Sequence, residues 1–257
     1  MKLRWSSLLA APFLLFLAIP IVALIASTPG GAMLAALHRP ETMAALGVSG
    51  RTTLVSLAVL IVLGTPVAWV VGRSRGRLIN WIETFLELPA VLPPSVAGIA
   101  LLVAFGHAGL IGRHLPFEIP FTALAVILAQ LFVASPFFLR PTAERFRSLE
   151  AEMIDAARLD GAGPFALGTR IVWPSVRPAY IGALCLAWAR ALGEFGATLL
   201  FAGSFAGTTQ TAPLAIYDAF ESDLDAAKAL GVILLVVAFV VLGLAKLVAR
   251  RVLPESP

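Results

Sequence analysis

RPTAERFRSLEAEMIDAARLDGAGPFALGTRIVWPSVR, residues 140–177, separates two long apolar runs and is too long to be a simple connection between them. Its spacing is helical. Leu149, Met153, Ala156 and Ala157 recur at i, i+4, i+7 and i+8 and share one face, while Glu150, Glu152 and Arg158 fall on others. Gly161 and Gly163 offer a helix stop, and Pro164 suits the first turn of a new helix. The pattern predicts two short helices at an angle, the second ending near Pro174. Such an element either presents an apolar, backbone-rich knob to a groove on a partner or lies at a membrane surface against its own bundle.

The flanks decide between a soluble and a membrane setting. Apolar residues make up 59% of the 257 residues and charged residues 13%, about half the charge density of soluble domains, and the mean hydropathy is +0.92. The surrounding solvent is therefore largely lipid. Six runs reach the roughly 20 residues that span a bilayer: 8–26, 52–71, 88–105, 121–139, 179–202 and 229–248. The first follows a basic Met1–Arg4 segment; it resembles a secretory signal but is long for one, and reads as a retained helix. The fold class is all-α, integral to the membrane, with about six transmembrane helices.

A net charge of +4 might suggest nucleic acid, but the basic residues form no patch. With the N-terminus inside, fourteen of the 19 lysines and arginines fall on inner segments and only Arg39, Arg51, Arg113 and Lys228 outside. Positive segments stay in the cytoplasm, so both termini are expected there, in a multi-pass protein of the cytoplasmic (inner) membrane. The organisation read from this is an N-terminal helix and outer loop at 1–50, a transmembrane core at 51–250 containing the 140–177 loop, and a short cytoplasmic tail at 251–257.

Ionisable groups inside the spans are few. Arg190 and Glu194 lie four apart on one helix face; they are either a mutual structural pair or a guide for an anion, with Glu194 moderating the attraction of Arg190. Pro93 and Pro94, with Pro89 before them, imply a kink near the start of the third span or a break that shapes a pathway. Thr198 falls in the fifth span, and the run around Thr209 and Thr211 either caps a helix near Pro213 or lines the outer mouth of a path. Glu221, Asp223 and Asp225 read as a helix start or a contact for an external protein. The lone Cys185 and three scattered histidines give no metal-ligand spacing, and no GxxxxGK[ST] loop is present to hold a nucleotide. Neither a metal nor another cofactor is expected.

Asp155-Ala156-Ala157, then Gly161, then Ile171 and Pro174 closely resembles the loop of ABC importer permeases that reads Glu-Ala-Ala, a glycine, then Ile-x-Leu-Pro. Asp155 replaces the usual Glu and Trp173 the usual Leu. Leu88–Pro94, Gly109–Gly112 and Ala191–Thr198, followed by Thr209–Thr211 and Ala215–Tyr217, look like the corresponding regions of molybdate permeases, with sulfate and tungstate permeases similar at several of them. The resemblance covers roughly 52–248 and implies a type I ABC importer permease fold and ATP-driven import of an oxyanion by alternating access. Molybdate comes first, with tungstate or sulfate as alternatives. It implies a homodimer in membrane lipid, two ATP-binding cassette ATPase subunits that carry out hydrolysis, and an extracytoplasmic oxyanion-binding protein. The chain itself is then not an enzyme. Coupling falls to Asp155, Ala156, Ala157, Gly161, Ala162, Gly163, Ile171 and Pro174. Of the rival classes, a gradient-driven secondary transporter leaves the long loop without a job, and a membrane-embedded enzyme needs a polar constellation that is missing.

Overall fold

The computed structural model describes residues 2–252, so the expected tail at 251–257 lies almost wholly outside the described residues. Among the described residues all regular elements are helical: α1 (Lys2–Ser27), α2 (Gly30–His38), α3 (Pro40–Val59), α4 (Thr65–Arg73), α5 (Arg77–Val91), α6 (Pro94–Phe105), α7 (Ala123–Arg147), α8 (Ala151–Leu159), α9 (Pro164–Ala166), α10 (Trp173–Leu192), α11 (Gly196–Ala202), α12 (Ala212–Ser222) and α13 (Leu224–Val252), with one short 3-10 turn at Gly112–His114. Wide π turns at Leu60–Gly64 and Leu167–Val172 join α3 to α4 and α9 to α10. Each lies just ahead of a proline, Pro66 or Pro174. A proline crowds the carbonyl four residues back and donates no hydrogen bond there; a widened turn at that place relieves both faults.

Among the described residues four helices are long and apolar enough to cross a membrane, Ala10–Ser27, Pro40–Arg73, Ala123–Arg147 and Leu224–Gly243, and there are up to six if two bent pairs each count as one span. The expected span at 52–71 starts earlier, at Pro40. The sequence misleads there because 40–56 is rich in hydroxyls. Those hydroxyls turn inward and bond back along the helix: Thr52 to the Val48 carbonyl (2.9 Å), Thr53 to Ser49 (2.7 Å) and Ser56 to Thr52 (2.9 Å). A polar segment so satisfied stays helical without water.

The third and fifth expected spans are not single rods. Residues 77–105 form α5 and α6, which meet at 114°, and residues 164–202 bend by 57° between α10 and α11. The first is a break, not a kink: the cluster Leu92-Pro93-Pro94 leaves Leu92 and Pro93 extended, as residues before proline prefer. With 12 residues, α6 covers only about 18 Å.

The bundle is organised on α7, which packs against α10, α4, α5, α3 and α11. Its interfaces are small. Ala45, Ala68, Ala97, Ala125, Ala129, Ala134, Ala187 and Ala197 are all fully buried. In lipid, close approach and good packing replace the hydrophobic drive between helices, and small residues permit both. Large side chains point the other way: Phe16, Val62, Phe85, Val103 and Phe239 are mostly exposed.

Candidate functional site: an exposed hairpin and two interlocked breaks

The sequence motif at 151–174 folds as a helix, a tight turn and a second helix. Helix α8 ends in a Schellman arrangement: Gly161 N–H donates to the Arg158 carbonyl (3.0 Å) and Ala162 N–H to the Ala157 carbonyl (2.9 Å). Gly161 holds φ +83°, a left-handed conformation that costs other residues roughly 1–2 kcal/mol. Ala157 and Ala162, brought together by those bonds, are both partly buried against the main core cluster. Gly163 precedes α9 and Pro164 occupies its first turn, as expected.

One expectation needs correction. The second short helix does not stop near Pro174; α9 passes through the π turn into α10, because the widened turn absorbs the proline. The expected face divides between core and solvent, with Ala157 packed on the core cluster. Ile154, together with Leu149 just ahead of α8 and Leu167 beyond it, enters the core cluster, while Met153 and Ala156 point outward. At the tip Leu159 is 89% and Phe165 83% exposed, with Asp155, Ala156, Gly161 and Gly163 exposed beside them. Ile171 is half-buried and Pro174 exposed near the root.

The far end of the bundle holds the other candidates. Arg190 lies in the last turn of α10 and Glu194 follows in the break. Arg190 Nη1 lies 2.7 Å from Glu194 Oε2, a close ion pair lacking hydrogen-bond alignment on that oxygen. Glu194 Oε1 accepts a hydrogen bond from Ala197 N–H (2.8 Å), so the carboxylate also caps the start of α11. Its side chain is 1% exposed against 28% for Arg190. The two breaks interlock. A Cβ on Gly196 would meet Pro94 Cβ at 2.7 Å, and one on Gly98 would meet the Ala197 carbonyl at 3.0 Å. The structure therefore brings Pro94 against the Glu194–Thr198 segment.

The threonines lie inside the protomer. Thr198 and Thr211 hydroxyls are buried without a hydrogen-bond partner. Thr211 precedes α12 yet makes no side-chain cap; the Ala212 N–H goes instead to Ser49 Oγ (2.7 Å). Thr209 Oγ1 accepts from Phe205 N–H (3.0 Å) and closes the 203–209 loop. Of the acidic cluster, Asp223 caps α13 through Ala226 N–H (3.0 Å) and pairs with Arg39 (3.2 Å). Both contacts hold its carboxyl below the ordinary carboxylate range, the Ala226 bond most. Asp223 and Asp225 thus sit at a helix start, whereas Glu221 lies in the last turn of α12.

Sequence reasoning missed α5. Its Ile79, Ile82 and Leu86 pack on the core, Glu83 pairs with Arg147 and Glu87 with Arg140, and Leu78, Trp81 and Phe85 stay exposed. The signal was present as two apolar stripes at helical spacing. It was hidden because 77–87 carries too much charge to be read as a span.

A bundle of broken and unbroken membrane helices carrying one exposed helical hairpin defines a transport subunit of ABC importer type. In fold it is similar to a chain from the crystal structure of a bacterial ABC transporter involved in import of the acidic polysaccharide alginate, with a TM-score of 0.72, 17% identity, and 98% of this chain and 96% of that one covered. Residues 61–254 match the family described as the binding-protein-dependent transport system inner membrane component, and the chain belongs to that family. It is 43% identical over 244 residues to the molybdenum transport system permease protein ModB of Mycobacterium tuberculosis, covering 93% of this chain and 92% of that one. It is 32% identical over 249 residues to the sulfate transport system permease protein CysT of Synechococcus elongatus, covering 94% and 90%. The chain is thus a multi-pass inner-membrane permease with the type I importer fold.

Proposed function

We propose that this permease carries molybdate inward through a path formed between two copies of itself, driven by a separate ATPase that docks on the hairpin. The observation that carries the reading is the hairpin tip: Leu159 and Phe165 are exposed on a short helix pair beside charged residues. An exposed apolar knob on a rigid base fits a groove on a soluble partner. Asp155, Ala156, Ala157, Gly161, Ala162 and Gly163 shape that knob, and Ile171 and Pro174 join it to α10.

Both termini and the hairpin face the cytoplasm, as the arginine distribution requires. A binding protein delivers the oxyanion at the opposite end. There the interlocked breaks, with Pro93, Pro94 and Thr198, shape the path wall, and Thr209 and Thr211 support it from behind. Arg190 and Glu194 act first as a brace across the α10–α11 break; the part of Arg190 that remains exposed gives a dianion a weak contact, which suits passage better than tight binding.

The test is ATP-dependent uptake in proteoliposomes containing the chain, its cognate ATPase and its binding protein, with molybdate, tungstate and sulfate each offered. Preferred molybdate uptake that stops without ATP supports the proposal. Uptake driven by an ion gradient without the ATPase would overturn it, and preference for sulfate would reassign the cargo.

A further inference from the structure

A loop held only by its two backbone connections would swivel when pushed at the tip, and the push would be lost as bending. This hairpin is fastened at both roots by arginines that belong to other helices. At its entry, Arg73 at the end of α4 donates through Nη1 to the Leu149 carbonyl (2.9 Å). At its exit, Arg145 in the last turns of α7 donates through Nε (2.9 Å) and Nη2 (2.6 Å) to the Ser175 carbonyl in the first turn of α10. Its Nη1 also donates to Ser148 Oγ (3.0 Å), which in turn donates back to the Arg145 carbonyl (2.9 Å). Three donors of one guanidinium are thus used, two of them on a single carbonyl. Bonds of this kind are charge-assisted and stronger than neutral ones.

From this geometry we infer that Arg145, with Arg73 as its lesser counterpart, is a positioning residue that turns the hairpin into a lever by locking its roots to α4 and α7. The inference rests on the proposal that the hairpin receives an ATPase, and adds which residues convert that docking into helix movement. A displacement of α8 reaches α4 through Arg73, reaches α7 through Arg145, and reaches α10 both directly and through the Ser175 bond. Arg145 grips α10 just beyond the π turn at Leu167–Val172.

The experiment uses the complete complex in proteoliposomes and reads oxyanion moved per ATP hydrolysed. For Arg145→Ala the ATPase still co-purifies, hydrolysis continues, and the concentration for half-maximal uptake stays unchanged. The transport-to-hydrolysis ratio falls by about tenfold, the loss of charge-assisted bonds expressed as an equilibrium. Arg145→Lys, whose ammonium reaches the carbonyl with one donor at a time, restores part of the ratio; Arg73→Ala lowers it less than Arg145→Ala. A ratio equal to that of the unmodified complex in Arg145→Ala, or in Arg145→Lys together with Arg73→Ala should the alanine variant not fold, overturns the inference. Failure of the unmodified chain to hold the ATPase at all would instead overturn the docking proposal.

Discussion

At the hairpin the chain turns Leu159 and Phe165 out to solvent, while at the α10–α11 break it turns the carboxylate of Glu194 inward. An apolar tip is unfavourable in water, and a carboxylate is unfavourable away from it. What differs is where compensation comes from. Glu194 finds it within its own chain, in Arg190 and the Ala197 N–H. Leu159 and Phe165 stay exposed within the protomer; on the proposed function, theirs comes from the docked ATPase. The proposed function reads the buried, internally partnered charge as a structural joint and the exposed apolar tip as an interface.

That contrast is broken most sharply at the tip. Leu159→Glu or Ala156→Trp should abolish ATPase co-purification and uptake by well over about tenfold, as loss of a central anchor does, yet leave thermal unfolding of the detergent-solubilised protomer within about 0.5 kcal/mol. Unchanged docking in both would remove the interface reading.

Glu194→Ala should behave the opposite way. It uncaps α11 and leaves Arg190 unpaired in a low-dielectric setting, so a loss of about 3 kcal/mol is expected, visible as a lower melting temperature. Changing Arg190 and Glu194 together to glutamine should recover part of that loss. A protomer as stable as the parent after Glu194→Ala would show that the pair braces nothing.

Between these extremes sits Ile154, on the hairpin but buried. Ile154→Ala should cost about 2–3 kcal/mol of protomer stability and weaken docking only indirectly; docking lost at full stability would mean the inward and outward faces of α8 are exchanged. Gly161→Ala, at positive φ, should cost about 1–2 kcal/mol, read as faster amide exchange at the end of α8.

The smallest effect lies outside both regions. Asp223 has its folded-state carboxyl pKa depressed by the Ala226 N–H and by Arg39. Its contribution is therefore complete above the ordinary carboxylate pKa and is lost as pH falls through the lower folded value. Unfolding measured from pH 7 to pH 5 should be identical in the parent and in Asp223→Asn once the constant offset between them is removed, with the two converging only in stronger acid.

The two regions also differ in how much was readable beforehand. The hairpin's helix stop, its glycines and the proline that follows are local devices, governed by backbone sterics over a few residues, and they stand where the spacing placed them. That Ile154, among the described α8 side chains, is the one turned fully into the core is a tertiary matter. At the breaks, Pro93-Pro94 announced an interruption, but the 114° angle did not follow from it. The interruption at Gly193–Phe195 carried no proline at all; it became visible only through Glu194 capping a new helix.

By itself the sequence determined a helical membrane protein, roughly which segments are apolar enough to cross, and which short stretch departs from the bundle. Those follow from transfer of side chains between water and lipid and from local backbone geometry, both properties of single residues and near neighbours. Only the tertiary structure decided that the hydroxyls of 49–56 face inward, that Gly196 rests against Pro94, and that Arg73 and Arg145 reach carbonyls far along the chain. Each of these is a contact between distant segments, fixed by which helix faces which, and no local pattern contains that.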